Sequence, residues 1–270
     1  MTIIAAIQMT SGPEVAGNLE SAGRLLEEAA SRGAVIAGLP ENFAIMGWSE
    51  ADKLKASEPD GDGPIQSFLA ATARRLKLWI IGGTIPLRTT ESGRSAAACL
   101  VYDDQGERRA RYDKIHLFDV KVPDNPEQYR ESATIMPGCE PSVVDTPAGR
   151  LGLAVCYDVR FPELFRQLSA KGAQWFCLPS AFTAPTGRAH WETLIRARAI
   201  ENLCFMMAPA QTGVHANGRE TYGDTMVVDF WGRVLSRLPQ GPGVVTADFD
   251  HHSQVEVRRS FPTLEHRVFQ

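Results

Sequence analysis

Apolar runs and amphipathic segments alternate along the first third of the chain. Residues 2–9 form an apolar run that predicts a buried strand, and apolar positions at helical spacing predict a helix from about residue 18 to residue 33. Two further apolar runs, residues 34–40 and 78–84, flank a predicted helix at about residues 64–77. Alternation of this kind is typical of a sheet covered by helices.

The alternation returns in the second half and then changes. The remaining expected elements are a hairpin of residues 96–102 and 108–114, strands at residues 151–156 and 174–179, and helices at residues 163–170 and 188–202. The last three strands, about residues 225–228, 234–238 and 243–249, lack intervening helices, which favours antiparallel pairing. We therefore expect mixed sheets covered by helices, in one domain over residues 1–270, because no linker or repeat divides the chain.

Composition removes several classes of protein. The 270 residues are 44% apolar, enough for a large core, and the net charge of -4 gives no basic field for nucleic acid. No apolar run reaches the ~18 residues of a membrane span, and residues 1–9 lack the basic start of a signal peptide. Five widely spaced cysteines without a CxxC or Cys/His cluster predict neither a disulfide framework nor a metal site, so the reducing cytoplasm is the expected compartment.

One cysteine occupies a position suited to catalysis. Cys156 ends a predicted strand, and the following residues 157–163 lead into a helix. A thiol at such an elbow is exposed to substrate, and the next backbone N–H groups, beginning with Tyr157, face a developing oxyanion. The other four cysteines lie in apolar runs or a loop and are expected to be inert. On this context alone, a catalytic and a buried structural role for Cys156 are equally open.

Two charged residues also follow apolar runs. Glu41 comes directly after residues 35–40, and Lys114 closes the second strand of the predicted hairpin. Taken singly, each is more typical of a solvated or paired surface group. A thiol that attacks an amide, however, needs a base for its proton and a positive group for the oxyanion. Glu41 and Lys114 can supply these two functions together with Cys156.

Three sequence blocks carry a family resemblance. LPEN at residues 39–42, YDKIHLFD at residues 112–119 and GLAVCYD at residues 152–158 resemble, in this order, the catalytic blocks of the nitrilase, or carbon–nitrogen hydrolase, superfamily. The segment from PSAFT at residue 179 to RARAIE at residue 201 resembles the Nit-type amidases, which act on omega-amides and deaminated glutathione. The resemblance extends over essentially the whole chain.

The resemblance implies a fold and a reaction. The fold is a four-layer α-β-β-α sandwich with two mixed β-sheets, paired into homodimers or larger homo-oligomers through the helix at residues 188–202 and the segment 261–270. The reaction converts a small-molecule amide and water to a carboxylate and ammonia through a thioester on Cys156. It requires no cofactor.

The resemblance also assigns roles to four residues. Glu41 is the general base and acid, Lys114 stabilises the oxyanion, and Cys156 is the nucleophile. The second glutamate of the family corresponds to Glu131, which orients Lys114 or the substrate. Glu127, four residues earlier, competes with Glu131 for this assignment.

Five residues near the motifs are weaker candidates for substrate binding or for support of the site. They are Arg160, Phe182, Arg188, His190 and Glu192. An ion pair between Arg160 and Glu163 is expected to brace the elbow, and packing roles are expected for the residues on the long helix.

The residues after the nucleophile favour amide hydrolysis over related reactions. The chain has CYDVRFPE, whereas nitrile-cleaving members resemble CWE and carbamoyl amidohydrolases resemble CNDRR at this point. Two alternatives stay open: an N-carbamoyl amidohydrolase, and a non-catalytic ligand-binding or scaffold member of the fold.

Overall fold

The computed structural model describes residues 2–121 and 128–268, with residue 128 described by its backbone alone. In the first half the strands and helices are β1 (Thr2–Gln8), α1 (Val15–Ser31), β2 (Ile36–Gly38), α2 (Glu50–Lys55), α3 (Pro64–Leu76), β3 (Trp79–Ile81), β4 (Ile85–Arg88), β5 (Ser95–Tyr102), β6 (Arg108–Asp113), β7 (Asp119–Lys121) and β8 (Gln128–Arg130). In the second half they are β9 (Val143–Thr146), β10 (Gly149–Leu153), α4 (Pro162–Ala170), β11 (Trp175–Cys177), α5 (Ala184–Asn202), β12 (Phe205–Ala208), β13 (Thr212–Val214), β14 (Glu220–Tyr222), β15 (Thr225–Val228), β16 (Val234–Leu238), β17 (Gly243–Phe249) and α6 (His251–Ser260).

Two mixed sheets form the centre of the structure. The first has the order β17-β1-β2-β3-β5-β4, with β6 also paired to β5, and the second has the order β16-β15-β12-β11-β10-β9. In each sheet three neighbouring strands are parallel, β1, β2 and β3 in one and β10, β11 and β12 in the other, and antiparallel strands extend both sides. Parallel strands bring their carboxyl ends to one edge of a sheet, which is where the candidate residues lie.

The side chains of β1 show how the layers are built. Ile4 and Ala6 belong to the core shared with the second sheet, whereas Ala5 and Ile7 belong to the core under α1 and α3. This separation follows from the two-residue period of a strand, which sends successive side chains to opposite faces. Helices α4 and α5 cover the outer face of the second sheet. The expected four-layer α-β-β-α sandwich is confirmed.

Several element boundaries differ from the sequence expectation, and three of them bear on the site. Helix α5 begins at Ala184, not at residue 188, because Pro185 lies in its first turn, where a missing N–H costs nothing. Helix α1 begins at Val15. Strand β10 ends at Leu153, so Cys156 lies three residues beyond the strand and not at its last position.

The last three strands are shared between the sheets. Strands β15 and β16 pair antiparallel in the second sheet, but β17 pairs antiparallel with β1 in the first, with Ala5 opposite Thr246. Each pairing is antiparallel as expected, although the sequence does not reveal the change of sheet. Within residues 2–121 and 128–268, no helix combines the length and apolar character needed to cross a membrane.

Candidate active site

The chain turns sharply at Cys156. After β10 it stays extended through Val155 and then adopts a left-handed conformation at Cys156, with φ of 46°. A positive φ is unfavourable for a residue with a side chain, and such residues concentrate at functional sites. The N–H of Cys156 donates to the carbonyl of Pro179 at 2.9 Å, which holds the turn. A 3₁₀ turn, Cys156–Arg160, leads from here into α4.

Asp158 fastens this elbow to the Lys114 segment. Its fully buried carboxylate accepts hydrogen bonds from the N–H of Val155 at 2.8 Å and the hydroxyl of Tyr112 at 2.7 Å. The other oxygen accepts from the N–H of His116 at 3.1 Å and lies 2.7 Å from Nδ1 of that ring. The residues before and after Lys114 are therefore tied to the loop that carries Cys156.

Lys114 lies between two glutamates in a site with little water access. Its Nζ is 2.8 Å from Oε1 of Glu41 and 2.9 Å from both oxygens of Glu131, and the lysine side chain is only 2% exposed. The other Glu41 oxygen accepts from the N–H of Ala181 at 2.9 Å, and Glu131 accepts from the N–H of Phe118 at 2.7 Å. Each carboxylate is thus fixed by the backbone as well as by the ammonium group. Glu127, the competing candidate, lies outside the described residues.

Glu41 and Lys114 favour each other's ionised form. Burial raises the pKa of Glu41, but Lys114 opposes it and the net pKa is lowered. Burial lowers the pKa of Lys114, but Glu131 and Glu41 together raise it well above its ordinary value. The Glu41 carboxylate and the Lys114 ammonium therefore persist as an ion pair near neutral pH.

The thiol of Cys156 is protonated at rest. Burial and then the charge of Glu41 raise its pKa far above the ordinary value, while Lys114 and the N–H of Ala181 oppose this less strongly. The thiol and the Glu41 carboxylate also interact directly, which contributes to both shifts in pKa. A neutral nucleophile in contact with an ionised carboxylate can lose its proton as it attacks, without a standing thiolate.

These groups open into one cavity of about 180 Å³. The three charged groups just described and Cys156 all line it. Aromatic side chains of Phe118, Tyr129, Tyr157 and Phe182 also line the cavity. Its other charged residues are Glu50, Lys53, Arg130 and Arg219. The size fits a small molecule, and the combination of apolar walls with a few polar groups is typical of ligand sites.

Arg160 supports the cavity wall in a different way from the expectation. Its guanidinium lies 5.2 Å from the ring centre of Phe182 and 5.8 Å from that of Tyr157, and Nη1 is 3.2 Å from Nδ1 of His190. Within the described part of the chain it forms no ion pair with Glu163, so that expectation is wrong. The aromatic faces beside Arg160 provide the attraction instead.

Arg188 and Glu192 are not brought to the cavity. Arg188 is exposed and lies along a shallow surface groove with Tyr222 and Arg237. Glu192 pairs with Arg196 at 3.2 Å and with Arg237 at 3.0 Å. His190, beside Arg160, is also exposed. The cavity-lining residue Thr186 lies in the first turn of α5. This turn precedes residues 188–202, the segment predicted as helix.

Two residues that the sequence analysis missed contact the site through tertiary structure. Nε2 of Gln211 donates to the carbonyl of Glu41 at 3.0 Å and to the hydroxyl of Ser11 at 2.7 Å. Arg219 donates to the carbonyl of Ala181 at 2.7 Å. Neither belongs to a motif, and both lie at least 170 residues from Glu41 along the chain, so no local signal identifies them.

Across the residues that the structure describes, no three His, Cys, Asp or Glu side chains are grouped so that they could hold a metal ion. All five thiols are free, with Cys139 exposed and the other four buried.

Comparisons with known proteins agree with this geometry. Residues 3–259 match the family model described as carbon-nitrogen hydrolase. The chain is 43% identical over 270 residues to the deaminated glutathione amidase of Synechocystis sp. (strain PCC 6803 / GT-S), covering 99% of this chain and 98% of that one. It is 40% identical to the deaminated glutathione amidase of Homo sapiens, covering 99% and 82% of the two chains. The crystal structure of Nit3 from Saccharomyces cerevisiae, a member of branch 10 of the nitrilase superfamily, superposes with a TM-score of 0.89 at 29% identity, covering 99% and 97%. The chain belongs to the carbon–nitrogen hydrolase family.

Proposed function

We propose that the protein is a thiol-dependent amidase that hydrolyses the carbon–nitrogen bond of a small omega-amide or of a compound like deaminated glutathione. The observation that carries this proposal is the Lys114 ammonium, fixed between Glu41 and Glu131, in the same cavity as the Cys156 thiol. The names of the relatives at 40% identity or more support the substrate class.

In the acylation step Glu41 removes the thiol proton while Sγ of Cys156 attacks the amide carbonyl. The oxyanion is stabilised by Nζ of Lys114 and by the N–H of Tyr157. The neighbouring N–H groups, those of Cys156 and Asp158, donate to Pro179 and Val155 and are already engaged. Glu41 then delivers the proton to the departing nitrogen, which leaves as ammonia from a primary amide, and a thioester remains on Cys156.

In the second step water replaces the leaving group. Glu41 removes a proton from this water as it attacks the thioester and passes it to the thiolate when the second oxyanion collapses. The product leaves as the carboxylic acid, which ionises to the carboxylate in solution. Glu131 keeps Lys114 in position throughout, since both of its oxygens contact Nζ. The proposed cycle leaves the resting protonation unchanged.

The same proposal includes an assembly and a compartment. We expect the chain to act as one domain and to form a homodimer through the face of α5, because the side chains of Ile200, Trp231 and Phe261 are about half exposed. Sedimentation equilibrium should show a dimer for the wild type and a dimer with a higher dissociation constant for Trp231→Ser. A monomeric wild type would refute the assembly.

The free state of all five thiols agrees with a reducing cytoplasm.

A substrate panel tests the activity itself. Omega-amides, deaminated glutathione, carbamoyl amino acids and nitriles are incubated with the wild type and with Cys156→Ala, and the new carboxylate and released ammonia are measured. Amide hydrolysis that disappears in the variant supports the proposal. Carbon dioxide released with ammonia would indicate an N-carbamoyl amidohydrolase. Labelling of Cys156 without turnover of any amide would indicate a binding protein.

A further inference from the structure

The charged groups that line the cavity differ in how they are paired. Lys114 contacts two carboxylates. Elsewhere in the cavity, Lys53 contacts Glu50 at 2.9 Å, so this pair is neutral. Arg219 lies in the same cavity and, among the described residues, has no carboxylate within ion-pair distance. Its positive charge is therefore available to a ligand.

One hydrogen bond and one aromatic contact hold the Arg219 guanidinium in place, and they do not use all of its donors. One Nη2 hydrogen bond goes to the carbonyl of Ala181, and the guanidinium carbon lies 5.2 Å from the ring centre of Tyr129. The Nε–H is shielded from solvent and has no hydrogen-bond partner within the described residues. The Nη1 donors also have no hydrogen-bond partner among the described residues, so a guanidinium that is only partly used can still bind a carboxylate.

The backbone of Ala181 connects this cation to the reacting groups. Its N–H donates to Glu41 at 2.9 Å, while its carbonyl accepts from Arg219 at 2.7 Å. Burial raises the pKa of Glu50, but Lys53 and, more weakly, Arg219 hold it below its ordinary value, so the charge of Arg219 is felt within the cavity. Cys156 and Arg219 line the same cavity and are connected through Glu41 and Ala181, so one substrate can contact both.

We infer that Arg219 is a specificity-determining residue that binds a carboxylate on the acyl part of the substrate. This inference rests on the proposed function. The acyl part is favoured over the amine part because it stays attached to Cys156 as the thioester, so one contact serves both chemical steps. A guanidinium suits this function, because its fork can donate two parallel hydrogen bonds to a carboxylate.

Matched substrates test this inference. Glutaramate carries a carboxylate on its acyl chain, valeramide has a neutral chain of the same length, and N-butyrylglycine carries the carboxylate on the amine side. We expect Arg219→Gln to raise the KM for glutaramate by about 10- to 100-fold and to leave valeramide within about twofold, since a hydrogen bond to a charged group is lost. For glutaramate, the KM of Arg219→Lys should lie between those of the wild type and Arg219→Gln. Arg24→Gln removes the same charge from an exposed position on α1 and should change the KM for neither substrate.

Three outcomes would overturn the inference. Equal losses on glutaramate and valeramide in Arg219→Gln would show that Arg219 only holds the Ala181 loop. An unchanged preference for glutaramate would show that another group recognises the carboxylate. A preference for N-butyrylglycine that disappears with Arg219 would place the anion on the amine side. If the wild type hydrolyses no amide, the proposed function fails, whereas hydrolysis of valeramide without preference for glutaramate removes only the inference.

Discussion

Cys156 and Cys177 are both buried thiols near the carboxyl ends of neighbouring parallel strands, β10 and β11. Burial is the largest cause of a raised pKa in each, so acidity does not distinguish them. Their neighbours do. Cys156 adjoins Glu41 and Lys114 at the cavity, whereas Cys177 packs in the core between the sheets. The comparison teaches that reactivity here depends on a base and a cation within reach, and a low resting pKa is not required.

The strongest test exchanges alanine for each thiol. Cys156→Ala should lower turnover by about 10⁴-fold or more, because the covalent step is lost. Cys177→Ala should keep near-normal activity and lose about 1–3 kcal/mol of unfolding free energy, since a buried side chain is trimmed. Amide hydrolysis and urea unfolding measure the two effects. Near-normal activity in Cys156→Ala would end the proposed mechanism.

The cation beside Cys156 can be altered without removing its charge. Lys114→Arg should lose about as much activity as Lys114→Ala, roughly 10²–10³-fold, because a planar fork cannot occupy the place of a compact ammonium between two carboxylates. The kcat values of both variants provide the measurement. Full activity in Lys114→Arg would mean that charge alone is sufficient.

Variants of the two glutamates should be defective at different steps of the reaction. Glu41→Gln removes the base, so no thioester should be found by mass spectrometry after incubation with substrate. Glu131→Gln leaves the base in place, and a slowly formed adduct on Cys156 should be detected even where turnover is lost. An adduct in the Glu41 variant with none in the Glu131 variant would reverse the two roles.

Stability in acid gives a smaller effect. The lowered pKa of Glu41 means that its ionised form stabilises the fold above its unfolded pKa, and this contribution is lost as the pH falls through the lower folded value. As urea titrations move from pH 7 to below about 4, the wild type should therefore lose unfolding free energy relative to Glu41→Gln. Cys177→Ala should show a difference that is independent of pH over this range. Parallel curves for the two variants would contradict the assignment.

The sequence predicts those parts of the fold that depend on local pattern. The β5–β6 hairpin and the passage from β10 to α4 lie where expected, because turn residues and periodicity act over a few positions. The transfer of β17 to the first sheet depends on pairing with β1, about 240 residues away, which no local pattern encodes. The pattern predicts the start of α5 at residue 188, four residues after its observed start at Ala184, because Pro185 and Gly187 are poor helix formers.

The site divides in the same way. Glu41, Lys114, Glu131 and Cys156 occur in or beside motifs, and the structure brings all four to one cavity. Asp158 lies in a motif, yet its contacts with Tyr112 and His116 become visible only when two distant segments meet. Arg219 carries no sequence signal, because its position depends on the β13–β14 hairpin folding over the loop at Ala181.

The left-handed backbone at Cys156 implies a trade between durability and activity. A residue with a side chain is disfavoured in that conformation by about 1 kcal/mol or more, whereas glycine adopts it freely. An inactive Cys156→Gly protein should therefore unfold at a denaturant concentration no lower than that of Cys156→Ala, even though glycine usually weakens folded proteins. Selection for stability alone would replace the nucleophile, and its presence marks a position where the chain keeps a less durable residue for the sake of its chemistry.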